Sequence, residues 1–248
     1  MKKKFGLIGK TLKHSFSKIY FEKKFAELKI DAEYENIEIE EIEKFSSLVS
    51  KPDGAWIMAS GLNVTIPYKE SIIPFLDDLD DTAKNIGAVN CIQFKNEKKI
   101  GHNTDAFGFK QLIKPFFEAH HERAIIIGTG GASKAVNFVL EELGVSVVFV
   151  SRNPKGRNHF SYNDINENMI KFNGIIINTS PVGMYPNIDE CPEIPYQFLT
   201  SKHLIIDLIY NPKETLFMQK AKAQGATVIN GETMLHQQAE KSWKIWNE

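Results

Sequence analysis

The sequence predicts a two-part α/β protein, on three observations. Strand and helix signals alternate along the whole chain, the pattern of layered α/β architectures. Short apolar runs such as Ala124-Ile125-Ile126-Ile127 have the character of strands covered on both faces of a parallel sheet. That run breaks into Gly128-Thr129-Gly130-Gly131-Ala132-Ser133, where a glycine turn starts a helix. Glycines there admit backbone angles that a Cβ forbids and let a ligand approach the main chain. The helix that follows offers unpaired N–H groups and a positive dipole end to an anion. In doubly wound folds the guest is a dinucleotide pyrophosphate. The spacing is G-x-G-G-x-S rather than G-x-G-x-x-G, so an ordinary tight turn is the competing reading.

The first series of elements opens with a strand at 5–9 and a helix at 18–28, with Ile19, Phe21, Phe25 and Leu28 on one side. A strand at 32–37, a short helix at 42–50 and a strand within 55–64 follow, the last leading to Pro67. Runs 88–94 and 98–101 form an antiparallel hairpin around Asn96-Glu97, and a long helix covers 106–117. The second series holds a strand at 124–128, a helix at 132–143 and a strand at 145–150. Buried strands at 175–178 and 204–208, a helix at 216–224 and a strand at 226–229 come next. An amphipathic helix at 234–246 closes the chain. The division falls near residue 103, and a cleft between two such units is a common ligand site.

Bulk properties exclude several classes. With 248 residues, 42% hydrophobic and 25% charged, the chain has the composition of a soluble globular protein. A net charge of −1 provides no basic field for nucleic acid. Its two cysteines, Cys91 and Cys191, make no disulfide framework and no C-x-x-C, so both are read as thiols of a reducing compartment. The basic start runs into a short apolar stretch, but Lys10 and Lys13 interrupt it before a signal peptide could form. No apolar run reaches the roughly 18 residues of a membrane span. The expectation is a cytoplasmic protein that binds small molecules, with no metal cluster and no membrane or nucleic-acid partner, as monomer or homodimer.

Several residues break local rules. In His14-Ser15-Phe16-Ser17, Ser17 is a good N-cap, the favoured reading of the cluster by itself, and the other reading is two hydroxyls beside a helix start that face an anion such as a carboxylate. In Asn63-Val64-Thr65-Ile66-Pro67-Tyr68-Lys69, Pro67 suits the first position of a helix, which puts Lys69 in a first turn whose dipole repels it. A lysine kept there against the dipole could stabilise a developing alkoxide or donate a proton. Asn90 in Gly87-Ala88-Val89-Asn90 enters a strand and is otherwise a turn asparagine. Asp105 in Asn103-Thr104-Asp105 precedes a helix, as an N-cap or as a carboxylate for a substrate hydroxyl or a catalytic base. His102 receives no role. Ser151-Arg152 ends a strand about 20 positions past the glycine turn, where an acidic residue would hold a ribose diol. Arg152, with Lys155 and Arg157 behind it, could grip a 2′-phosphate instead. Thr179 in Asn178-Thr179-Ser180-Pro181, and Ile209 and Tyr210 in Asp207-Leu208-Ile209-Tyr210, follow buried strands at the carboxyl end, where ligands bind in open sheets.

Taken together and in this order, the motifs resemble the shikimate dehydrogenase family over nearly the whole chain. They are H-S-F-S at 14–17, N-V-T-I-P-Y-K at 63–69, G-A-V-N at 87–90 and N-T-D-A-F-G at 103–108. G-T-G-G-A-S at 128–133, N-T-S-P-V-G-M at 178–184, D-L-I-Y-N-P at 207–212 and M-L-H-Q-Q-A at 234–239 complete the set. The resemblance implies an α/β substrate domain at 1–103 that regains 232–248, a Rossmann-like NADP domain at 104–231, and an active site in the cleft between them. It implies reversible reduction of the C3 ketone of 3-dehydroshikimate by NADPH, with Lys69 and Asp105 as the catalytic pair. Ser15 and Ser17 would hold the substrate carboxylate. Asn63, Thr65, Asn90 and Gln238 would hold ring hydroxyls, with Tyr210 lining the pocket and Gln237 next to the glutamine position. The cofactor would lie on Gly128, Thr129, Gly130, Gly131, Ala132, Ser151, Arg152, Thr179, Ile209 and Gly231. The family's usual Asn-Arg-Thr is Ser151-Arg152-Asn153 here, which keeps the arginine. The rival readings are a quinate/shikimate dehydrogenase that uses NAD and a non-catalytic dinucleotide sensor of the same fold.

Overall fold

The computed structural model describes residues 2–13, 15–49 and 59–248. His14, and residues 55–58 of the expected third strand, lie outside the described residues. Two compact units divide the chain, one of residues 1–104 with 239–248 and one of residues 105–238.

The first unit holds β1 (Lys3–Gly9), α1 (Phe16–Glu27), β2 (Ala32–Glu38), α2 (Lys44–Val49) and β3 (Ala59–Val64). It continues with β4 (Asp78–Leu79), α3 (Asp81–Ile86), β5 (Cys91–Lys95) and β6 (Lys98–His102). The strands form one mixed sheet in the order β2-β1-β3-β5-β6-β4. β1 runs parallel to β2 and β3, whereas β3, β5 and β6 pair antiparallel. Side chains alternate across β1, so it feeds two cores. Phe5 and Leu7 join Phe21, Phe25, Tyr34 and Trp246 in one, and Ile8 joins Ile39, Phe45, Leu62 and Ile72 in the other. The β5–β6 hairpin turns through Asn96 and Glu97 at φ 51° and 63°. Two left-handed residues make the two-residue loop whose twist suits paired strands.

The second unit begins inside α4 (Thr104–Ile113), of which only the first residue belongs to the first unit. It comprises β7 (Arg123–Ile127), α5 (Gly131–Glu142), β8 (Ser146–Val150), β9 (His159–Phe160), α6 (Glu167–Phe172) and β10 (Ile175–Asn178). β11 (Leu204–Asp207), α7 (Leu216–Ala223), β12 (Thr227–Asn230) and α8 (Glu232–Trp246) close it, and residues 239–246 of α8 are assigned to the first unit. The sheet order is β12-β11-β10-β7-β8-β9, and every pair is parallel. Counted from β7 as first, that is 3-2-1-4-5-6 read from the β9 edge through β8 and β7 to β12, the order of doubly wound dinucleotide-binding folds. The strand order reverses between β7 and β10. Ile125, Ile126 and Ile127 are fully buried, as their apolar run requires.

Four local expectations are corrected. Ser15, not Ser17, caps α1, accepting the Lys18 N–H at 3.3 Å. Residues 66–72 form successive turns rather than a helix, so Lys69 does not lie in the first turn of one. Asp105 lies in the first turn of α4 and is not its N-cap, because the helix starts one residue earlier at Thr104. The long helix at 106–117 also ends early, at Ile113. Sequence reasoning passed over α3 and α6. Both carry side-chain N-caps, Asp80 on Ala83 N–H and Asn166 on Met169 N–H, and Gly87 ends α3 in the left-handed region. Among the described residues no helix is long and apolar enough to cross a membrane, and no group of His, Cys, Asp and Glu is arranged to hold a metal ion.

Candidate active site

In the first unit, residues singled out by the motifs meet in one buried polar network. Asn63 is near the end of β3 and Asn90 immediately precedes β5, so antiparallel pairing of those strands brings them together. Asn63 Nδ2 donates to the Asn90 carbonyl at 3.1 Å and to Ser242 Oγ at 3.0 Å. Asn63 Oδ1 accepts from the Tyr34 hydroxyl at 2.9 Å. Both amide hydrogens of Asn63 are thereby used within the protein, which leaves only acceptor capacity on its Oδ1 for a ligand. Asn90 Oδ1 accepts from Thr104 N–H at 2.6 Å and from Thr104 Oγ1 at 3.2 Å, and its Nδ2 donates to Thr104 Oγ1 at 2.9 Å. This side chain therefore pins the start of α4, one residue before Asp105.

Ser17 is buried in α1, and its hydroxyl lowers the Tyr34 phenol pKa against the larger raising effect of burial, so the two side chains are neighbours. Ser15 lies at the same helix start, half-buried. Thr65 donates its backbone N–H to Ile8 O at 2.9 Å and accepts from Tyr68 N–H at 2.9 Å. Lys69 is half-buried and held from both sides. Its carbonyl accepts from Val89 N–H at 2.7 Å, while the preceding Tyr68 is buried and donates its hydroxyl to Ile39 O at 2.6 Å. The backbone that carries this ammonium is thus anchored at two points. Asp105 is 5% exposed.

Two features of this unit escaped sequence reasoning. Tyr34 and Ser242 both bond to Asn63, although neither lies in a motif. Ser242 left a signal, a hydroxyl among Ala239, Ile245 and Trp246 on the apolar side of α8, whereas Tyr34 shares its strand face with Asn36 and Glu38 and left none. His102 also gains a partner, with Nδ1 at 3.1 Å from Asp80 Oδ2.

In the second unit the glycine turn sits where the strand order reverses. Gly128 has φ +106°, and a Cβ there would lie 2.8 Å from Thr179 Oγ1. Only glycine permits both the angle and the approach. Thr179 fixes the opposite wall by donating N–H and hydroxyl to Ile127 O at 2.9 and 2.8 Å. Gly130 caps α5 without a side-chain bond, and a Cβ on it would meet nothing within 4 Å. Thr129 is exposed, and Gly131 and Ala132 form the first turn of α5, so backbone N–H groups face an accessible space. At the end of β8, Ser151 Oγ is buried with no hydrogen-bond partner, and Arg152 beside it is exposed. A dinucleotide fits this set. The helix start would take its pyrophosphate, and Ser151 and Arg152 would take the ribose end.

Ile209 and Gly231 meet past β11 and β12, and Tyr210 follows Ile209 in the first of the two loops. Gly231 donates to Ile209 O at 3.2 Å, and a Cβ on it would lie 2.1 Å from Leu208 O, so the two loops touch only because this residue has no side chain. Tyr210 is half-buried, and burial raises its phenol pKa. Gln238 is buried in α8 and donates to Leu235 O at 2.9 Å, while its neighbour Gln237 is half-buried.

Residues 7–92 match the family model described as the shikimate dehydrogenase substrate binding domain. The chain is 36% identical over 257 residues to the shikimate dehydrogenase (NADP(+)) of Methanosphaera stadtmanae, covering 97% of this chain and 90% of that relative. Among solved structures, a chorismate mutase/shikimate 5-dehydrogenase fusion protein from Clostridium acetobutylicum superposes with a TM-score of 0.88 at 34% identity, over 100% of this chain and 92% of that one. The shikimate 5-dehydrogenase of Thermus thermophilus, in complex with NADP(H) and shikimate, gives 0.85 at 27% identity, over 98% and 93%.

Proposed function

This chain belongs to the shikimate dehydrogenase family, and we propose that it interconverts 3-dehydroshikimate and shikimate with NADP(H). The observation that carries the reading is the buried network of the first unit, which ties Asn63 and Asn90 together at the start of α4. A ring that bears a carboxylate and several hydroxyls needs such a set of oriented polar groups.

Ser15 and Ser17 bind the carboxylate, and Asn63, Thr65, Asn90 and Gln238 orient the ring hydroxyls, with Tyr210 beside them. Gly128, Thr129, Gly130, Gly131 and Ala132 hold the pyrophosphate, Ser151 and Arg152 the 2′-phosphate, and Thr179, Ile209 and Gly231 the nicotinamide half. When bound, NADPH supplies the hydride. The Lys69 ammonium stabilises the negative charge that develops on the ketone oxygen and gives it a proton, and Asp105 pairs with it as the catalytic carboxylate. In the oxidative direction Lys69 takes that proton back.

Turnover with shikimate and with quinate, each with NADP and NAD, tests the reading. The highest kcat/KM is expected for shikimate with NADP. Higher efficiency for quinate with NAD would overturn the choice of substrate and cofactor. Absence of turnover with all four combinations would leave a nucleotide-binding protein without this chemistry.

A further inference from the structure

Asp207 ends β11 with no exposure to solvent, and no step of the reaction uses it. Its carboxylate takes three donors from three directions. Oδ1 accepts from Asn178 Nδ2 and from Ile209 N–H, both at 3.1 Å, and Oδ2 accepts from Thr215 Oγ1 at 2.6 Å. Each donor belongs to a different piece of the sheet's carboxyl edge. Asn178 ends β10 and shapes the loop after it, where its Oδ1 accepts from Ser180 N–H and Oγ at 3.0 and 2.7 Å and its Nδ2 reaches Val182 O at 3.1 Å. Ile209 opens the loop that carries Tyr210 and receives Gly231 N–H. Thr215 caps α7 through Met218 N–H.

We infer that Asp207 is a positioning residue for the cofactor, a buried anion that locks the 178–182 and 207–211 loops into one arrangement that receives the nicotinamide half. The inference rests on the proposed placement of that half against Thr179 and Ile209. An apolar residue at this point could satisfy none of the three donors. A neutral amide could accept from two of them, but without the strength of a charged acceptor. A full carboxylate with only donors around it is what makes the two loops one unit.

The test uses the whole chain with Asp207→Asn, which keeps the shape and removes the charge. Nucleotide fluorescence gives Kd for NADPH at pH 8, and a thermal melt of the same sample gives Tm. Weakened charge-assisted bonds predict an NADPH Kd raised about tenfold with Tm no lower than the parent. An unchanged Kd overturns the inference. A Kd that rises only together with a collapse of Tm overturns it too, because the role is then structural. Hydrogen exchange of the parent protein with and without NADPH separates this failure from that of the underlying reading. Protection by NADPH at 179–184 and 208–211 supports the placement of the cofactor. Its absence there removes both the placement and the inference built on it, whereas protection together with an unchanged Kd in Asp207→Asn removes only the positioning role.

Discussion

The Tyr34 hydroxyl donates to the side-chain carbonyl of Asn63 at 2.9 Å, in a core where Tyr34 is 1% and Asn63 5% exposed. Burial pushes the Tyr34 phenol well above its ordinary pKa, so it remains a donor at any working pH. Its ring stacks on Phe21 at 4.8 Å, so the hydroxyl arrives from a fixed direction. Tyr34→Phe keeps the stack and removes the donor. Leaving the buried Asn63 oxygen short of a partner costs about 1–3 kcal/mol. The expected result is a higher KM for shikimate, a smaller change in kcat and no change in KM for NADPH. A lower Tm with an unchanged shikimate KM would reduce Tyr34 to a packing residue.

Lys69 owes its position to backbone anchors on either side, Tyr68 on Ile39 and its own carbonyl on Val89. Lys69→Ala removes the side chain and leaves those anchors in place, so Tm stays near the parent value. General acid–base catalysis contributes roughly 10²- to 10⁴-fold, and kcat is expected to fall by about that much with a lesser effect on KM. Steady-state kinetics with shikimate and NADP check it, and an unaltered kcat takes Lys69 out of the chemistry.

Arg152 is exposed at the end of β8, next to the orphaned Ser151 hydroxyl. A guanidinium there can bind a 2′-phosphate through charge-assisted bonds worth about 1.5–3 kcal/mol. Arg152→Ala should therefore weaken NADPH about 10- to 100-fold and leave NADH nearly untouched. Titration of the variant with both nucleotides measures the difference. Equal losses would mean that Arg152 does not read the phosphate.

Much of this was legible in the sequence because it depends on short stretches. The apolar run at 124–127, the glycine turn and the hairpin at Asn96-Glu97 each carry their own local physics, and each folds as that physics directs. The Lys69 segment did not, because a proline in a turn run and a proline at a helix start look alike in one dimension. The α1 cap moved to Ser15 because two serines flank Phe16 and either suits a cap. Least legible were Tyr34, Ser242 and Asp207. Their work lies in contacts with residues distant in the chain, Tyr34 and Ser242 to Asn63 and Asp207 to Asn178, and no local pattern encodes such pairs.

The burial of Asp207 also makes a prediction about stability and pH. Desolvation raises its pKa from 3.8 to about 6, against the lowering effect of its bonds from Thr215, Ile209 and Asn178. Tyr196, the ionisable side chain that feels this carboxylate, stays neutral because burial raises its phenol far above ordinary values. A raised folded pKa means that the stabilising contribution is complete below the unfolded value of 3.8 and is lost as pH rises through about 6. A shift of about two units corresponds to about 3 kcal/mol. Asp207→Asn carries no such dependence. Urea denaturation of parent and variant from pH 4 to 7.5 should show the variant gaining on the parent by about that amount, most of it between pH 4 and 6.5. A stability difference that stays constant over this range would mean that the Asp207 carboxylate is ionised in the folded protein throughout.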